Sequence, residues 1–253
     1  MDNLLKSELF KLRKNRTFWT LIIIILSLAA SFVVLTYIDI RMNGEQQVTG
    51  LDYLTETFSG NNYMIKLALS ILAGLFMASE YMNGVMKTIA SSGNSRVRIY
   101  SAKLLVISFA AIVISLVFPA TMLTLGTLLS GFGELPGISS VEYLLRSAGL
   151  TFLYAMAFAS IVAFFSTVFS DSGQTIGVSL IFFLFIDTVL YTLGSYFPII
   201  ETLDNYFVFK LSMEIGELNI ANDVLFKLAA VPIITYMLFG LLGAWIFSRK
   251  EIK

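Results

Sequence analysis

Residues 79–103 read SEYMNGVMKTIASSGNSRVRIYSAK, a polar run with four cations, Lys87, Arg96, Arg98 and Lys103, between two long apolar stretches. The flanking stretches decide the fold class. A helix that crosses a bilayer needs about 20 mainly apolar residues, and six stretches meet that need: 18–38, 63–78, 104–129, 148–168, 176–196 and 225–247. Composition agrees. Only 13% of the 253 residues are charged and 57% are hydrophobic, with a mean hydropathy of +0.82, whereas soluble domains carry about 25% charged residues. The expected fold is all-α: one polytopic membrane domain over 1–253, with six spanning helices and an N-terminal interfacial helix over 1–17.

The chain has no cysteine and no histidine. That excludes a disulfide framework, thiolate or imidazole metal sites and any Ser-His or Cys-His nucleophile pair. Formal net charge is zero, which gives no support to nucleic-acid binding. No phosphate-cradling G-x-x-x-x-G-K-[ST] loop occurs, so ATP hydrolysis is not expected in this chain. LAAS at 28–31 resembles a cleavage site, but the apolar run continues through Ile38. That exceeds a signal-peptide core of about 7–15 residues, and an uncleaved anchor is expected.

The distribution of charge sets the orientation. With the N-terminus inside, twelve of the 17 cations fall on inner segments: Lys6, Lys11, Arg13, Lys14, Arg16, Lys87, Arg96, Arg98, Lys103, Arg249, Lys250 and Lys253. Arg41, Lys66, Arg146, Lys210 and Lys227 fall outside, along with acids such as Glu45. The positive-inside bias therefore puts both termini in the cytoplasm. Residues 2–16 form an amphipathic helix with Leu4, Leu5, Leu9 and Leu12 on one face, suited to the lipid interface. Lys66, at the start of the second span, is expected to snorkel to the headgroups. The segment 39–62 reads as a polar loop. Segment 198–224, on the outer side, mixes apolar and acidic residues and reads as short helices that either contact substrate or cap the bundle.

Within the opening run, Met82, Val85, Met86 and Ile89 have the i, i+3, i+4, i+7 spacing of a helix over 81–89. Small residues at 91–95 break it, and Ser95 is placed to N-cap the next helix. A plain connection would need only a few residues, so a surface feature is being built. The run EYMNGVMKTIASSGNSRVRIYSAKLL resembles the cytoplasmic signature of type-2 ABC exporter permeases, in which a Glu, a Gly and a Lys-Thr pair precede a small-residue turn, basic residues and the next span. Among them it is most similar to the small permeases of bacitracin- and lantibiotic-type peptide export and self-protection systems. Glu80, Gly84, Lys87 and Thr88 carry the likeness, while Val85 stands where members often have Thr.

The resemblance implies a coupling helix within 79–103. Its apolar face would be Met82, Val85, Met86 and Ile89, its polar contacts Asn83, Lys87, Thr88 and Ser91, and it would seat in a groove of a separate ATP-binding subunit. ATP and magnesium would be held by that partner, and no cofactor by this chain. A second permease subunit, identical or homologous, would complete the pathway, with membrane lipids around it. The turn SDSGQ at 170–174 is either a second contact or a plain turn. Asp187 is the one carboxylate well inside a span. It reads either as a cargo- or ion-contacting group or as an interhelical hydrogen-bonding group, to a Ser, Thr or Tyr across a subunit interface. Ala155, Ala159 and Ala163 form a small-residue stripe for close helix packing. Two rival classes remain: an ion-coupled secondary transporter using Asp187, and a non-transporting membrane partner that anchors or senses.

Overall fold

In the computed structural model, residues 2–44, 47–91 and 93–250 are described. Glu45 and Lys253 lie outside them, as does the side chain of Ser91. The described residues form helices joined by short turns and loops, without strands. In chain order they form α1 (Asp2–Lys14), α2 (Arg16–Asn43), α3 (Gly50–Leu72), a π-helical turn (Ala73–Ala78), α4 (Ser79–Met82) and α5 (Val85–Ser91). These are followed by α6 (Arg96–Ser130), α7 (Ser140–Phe169), α8 (Ser172–Tyr196), α9 (Pro198–Asp204), α10 (Val208–Leu211), a 3₁₀ turn (Ser212–Gly216) and α11 (Asn222–Arg249). Six stretches are long and apolar enough to span a bilayer: Arg16–Asn43, Gly60–Met82, Arg96–Ser130, Ser140–Phe169, Ser172–Tyr196 and Asn222–Arg249.

Local chemistry explains the helix ends. The Asn15 side chain accepts the Phe18 amide at 2.9 Å and separates α1 from α2, satisfying one of the donors that a helix start leaves open. Ser95 caps α6 as its sequence position suggests. Thr49 and Asp52 form a reciprocal capping box at the start of α3. That box overturns the reading of 39–62 as a loop, since α2 runs to Asn43 and α3 begins at Gly50. The polar residues that suggested a loop are used inside the bundle instead. Pro119 has no N–H for the carbonyl of Ser115, and buried Asn61 donates to that carbonyl at 3.2 Å. Its neighbour Asn62 donates to the carbonyl of Ser212, fastening α3 to the segment after α8.

Packing centres on α6 and α7. Helices α3 and α6 approach through Gly50 and Gly126, where a Cβ would fall 2.3 Å from Thr127 Oγ1 and 2.7 Å from the Tyr53 ring respectively. Ala155, Ala159 and Ala163 are fully buried on α7, which serves the close packing expected of them. The Leu4, Leu5, Leu9 and Leu12 face of α1 packs against the core, and Phe10 stays outside. By contrast α2, α8 and α11 expose rows of large apolar side chains such as Ile23, Phe185 and Leu241, as lipid-facing helices do.

At the end opposite α5, the segment after α8 folds back as short helices. Val208, Phe209, Leu211 and Ile215 are buried, and the Phe209 ring stacks on Phe158 of α7 at 6.0 Å. Tyr143 donates to the carbonyl of Gly216 at 3.0 Å. This half of the 198–224 segment caps the bundle.

Candidate functional site: the α4–α5 elbow and its anchor

The expected helix over 81–89 is divided. At Asn83 and Gly84 the chain turns, with Gly84 at φ +67°. A Cβ there would meet nothing within 4 Å, so glycine is required by backbone conformation alone, which costs other L-residues about 1–2 kcal/mol. The Gly84 carbonyl then accepts the Lys87 amide at 3.1 Å and starts α5. Splitting the helix redistributes its faces. Met82 is 60% and Val85 38% exposed, and Asn83, Lys87 and Thr88 are exposed with them. Ile89 is half-buried. Met86 is 1% exposed and packs into the core of the helical bundle, so the i, i+4 pairing of Met82 with Met86 on one outward face does not occur. The turn between α7 and α8 lies alongside, and the Ser172 amide donates to the Met82 sulfur at 3.3 Å.

Glu80 does not join this exposed surface either. It is 9% exposed and belongs to a closed ring of alternating charges. Lys11 of α1 donates to Glu8 at 2.7 Å and to Glu80 at 2.9 Å. Lys103 of α6 donates to Glu8 at 3.0 Å and to Glu80. Two carboxylates and two ammonium groups cancel, and each charge, the buried Glu8, Glu80 and Lys103 and the partly exposed Lys11, has two opposite neighbours. Removing one partner from such a set leaves an uncompensated buried charge and costs about 3–5 kcal/mol. Burial by itself lowers the pKa of Lys11, but the hydrogen bonds and charges of Glu8 and Glu80 outweigh it and raise it above 10.5. The ring joins α1, the base of the elbow and the first turns of α6.

Further ties hold the same end. Lys250 donates to the carbonyls of Thr167 and Val168 and to Ser170, capping α7 with a cation where the helix dipole favours one. Burial lowers its pKa. Arg96, counted above among the inner cations, donates to the carbonyls of Ser248 and Lys250 at the end of α11. Tyr81 packs edge-on to Phe247 at 6.2 Å. The elbow is thus gripped on its inner side by α1, α6 and α11 and left open on its outer side.

A second charged site lies within the bundle. Lys66 does not snorkel. It is 1% exposed and turns inward to Asp187 of α8, with Nζ 3.5 Å from Oδ2. Its ammonium also lies 5.2 Å from the Phe158 ring, 5.3 Å from Phe209 and 5.6 Å from Tyr63, within the reach of cation–π attraction. Within the chain, the partner of Asp187 is therefore a lysine. Among the described residues, no group of three or more potential metal ligands is gathered.

Sequence reasoning missed Glu8, Lys103 and Lys66 as partners. A signal for Glu8 was available: it falls about 40° from Leu4 on the helical wheel, in the middle of the leucine arc, where a solvated charge has no reason to be. Lys66 had none, because its partner is 121 residues away.

No match to a curated protein is found. Residues 4–186 match the family described as ABC-2 family transporter protein, a match that spans more than half of the chain and both halves of the charge ring. The chain therefore belongs to the ABC-2 transporter family, as a multi-pass membrane permease subunit.

Proposed function

We propose that this permease is the membrane half of an ATP-driven exporter, and that the α4–α5 elbow is where its ATP-binding partner docks. The observation that carries the reading is the two-sided elbow. Met82, Asn83, Val85, Lys87 and Thr88 face outward, while Glu80 beneath them is locked to α1 and α6 by the charge ring. A surface built only to connect two spans needs no such anchor. A push on α5 is relayed through Glu80 to α1 and α6, and through the π-helical turn to α3. The family works with an ATP-binding subunit, which supports a partner of that kind.

In this reading the basic end of the bundle, with both termini and the elbow, is cytoplasmic. Two permeases, identical or homologous, line one pathway, and ATP-driven closure of the partner subunits rocks the elbows. The cargo is an amphipathic or hydrophobic molecule. The likeness of residues 80–105 to bacitracin- and lantibiotic-type systems favours an antimicrobial peptide. The test is co-purification. Met82→Asp with Val85→Asp places two carboxylates on the exposed apolar patch, removing contacts worth about 1.5–3 kcal/mol per side chain. The permease is expected to accumulate in the membrane but lose its ATP-binding partner. Undiminished co-purification would move docking elsewhere.

A further inference from the structure

The Lys66–Asp187 pair is made loosely on one side only. Its N–O separation of 3.5 Å exceeds the 2.7 Å of Lys11–Glu8 and the usual 2.7–2.9 Å of a charge-assisted bond. The Lys66 ammonium makes no other hydrogen bond among the described residues, yet three aromatic rings surround it, one each from α3 and α7 and one from the folded-back segment at Phe209. Asp187 differs. Its side chain is 32% exposed, and its neighbours on the same face of α8, Leu184 and Tyr191, are 50% and 77% exposed. One oxygen meets the lysine, and the carboxylate is open on the side away from the bundle, amid apolar surface.

We propose that Asp187 is an exchangeable subsite for the cationic group of an amphipathic cargo, and that Lys66 is its built-in counter-ion. When a cargo ammonium or guanidinium reaches Asp187 it replaces Lys66, whose ammonium stays among the Tyr63, Phe158 and Phe209 rings. Departure of the cargo lets Lys66 return, so the carboxylate is never left without a cation inside the bilayer, where an isolated charge is expensive. The subsite selects hydrophobic cations over hydrophobic anions of the same shape. It deepens the transport reading and rests on it.

Tetraphenylphosphonium and tetraphenylborate, matched in shape and opposite in charge, provide the test by equilibrium dialysis against the purified permease in a nonionic detergent at pH 8. The parent is expected to bind the cation in preference to the anion. Removing the internal competitor with Lys66→Met is expected to tighten cation binding roughly five- to a hundredfold, the span usual for two ligands coupled through one site. Adding Asp187→Asn to that variant is expected to abolish it. Unchanged or weakened cation binding by Lys66→Met, or persistent binding by the double variant, overturns the proposal. If Lys66→Met does not accumulate, the parent and the charge-free double variant decide alone: binding lost in the double supports the subsite, and binding kept refutes it. Phosphatidylethanolamine added to the micelles separates a lipid amine from a cargo amine. Unchanged cation binding supports the cargo, and displacement overturns that assignment. None of these readings needs the ATP-binding partner, so loss of partner docking and loss of the cation subsite are separate failures.

Discussion

Glu80 is the residue on which the elbow turns, because one short carboxylate holds cations from two other elements at once. Glu80→Gln leaves Lys11 and Lys103 sharing only Glu8. The expected loss is about 3–5 kcal/mol, read as a large drop in the detergent unfolding temperature. Replacing Lys103 by Met in the same chain restores neutrality and is expected to recover part of it, a non-additivity that marks a shared network. The ring also has a pH signature. Folding raises the Lys11 pKa above 10.5, so its contribution is complete below that value and lost as pH rises through the raised one. Thermal stability of the parent is expected to fall more steeply than that of Lys11→Met as pH climbs past 10.5. Parallel curves for the two would place the ammonium outside the ring.

At the scale of elements, the elbow shows what periodicity conveys and what it omits. The spacing of Met82, Val85, Met86 and Ile89 signals helix, and helix is what flanks the joint. Gly84 takes a positive φ that no spacing rule encodes, and so Met86 enters the core while Met82 and Val85 remain outside. This yields a contrast. Met86→Asp buries a carboxylate in the permease's own core and is expected to prevent accumulation of the protein, whereas Met82→Asp with Val85→Asp is expected to leave accumulation intact and remove the partner. Immunoblots of membranes for all three positions test it, and equal accumulation of Met86→Asp would put that side chain on the surface. The same lesson applies to α3. Asn61 and Asn62 look like loop residues by composition, yet each supplies a buried donor to a carbonyl on another element. A donor's partner 54 or 150 residues away leaves no local trace.

For the whole molecule, the six spans were legible because about 20 apolar residues in a row have few other uses, and the structure lengthens most of them at ends where caps override hydropathy. Charge placement was legible as a bias but not as pairs. Lys66 counted as an outer cation at the start of a span until the fold buried it against Asp187, and taking it out of the tally sharpens the asymmetry between the two ends. That asymmetry predicts the topology. On this cysteine-free background, Lys87→Cys and Asn205→Cys sit on exposed positions at opposite ends of the bundle. Only Asn205→Cys is expected to react with an impermeant thiol reagent in intact cells, and reaction at Lys87→Cys would invert the orientation.

Contact between the outward side of the elbow and an ATP-binding subunit can be tested at single-residue resolution with a photo-crosslinking amino acid. It would replace Val85 on α5 in one variant and exposed Met42, at the other end of α2, in a second. After irradiation of whole cells, mass spectrometry of the adduct at position 85 is expected to identify an ATP-binding cassette protein, with none at position 42. Absence of that protein from the adduct at 85, with the permease correctly inserted, would contradict the docking role of the elbow.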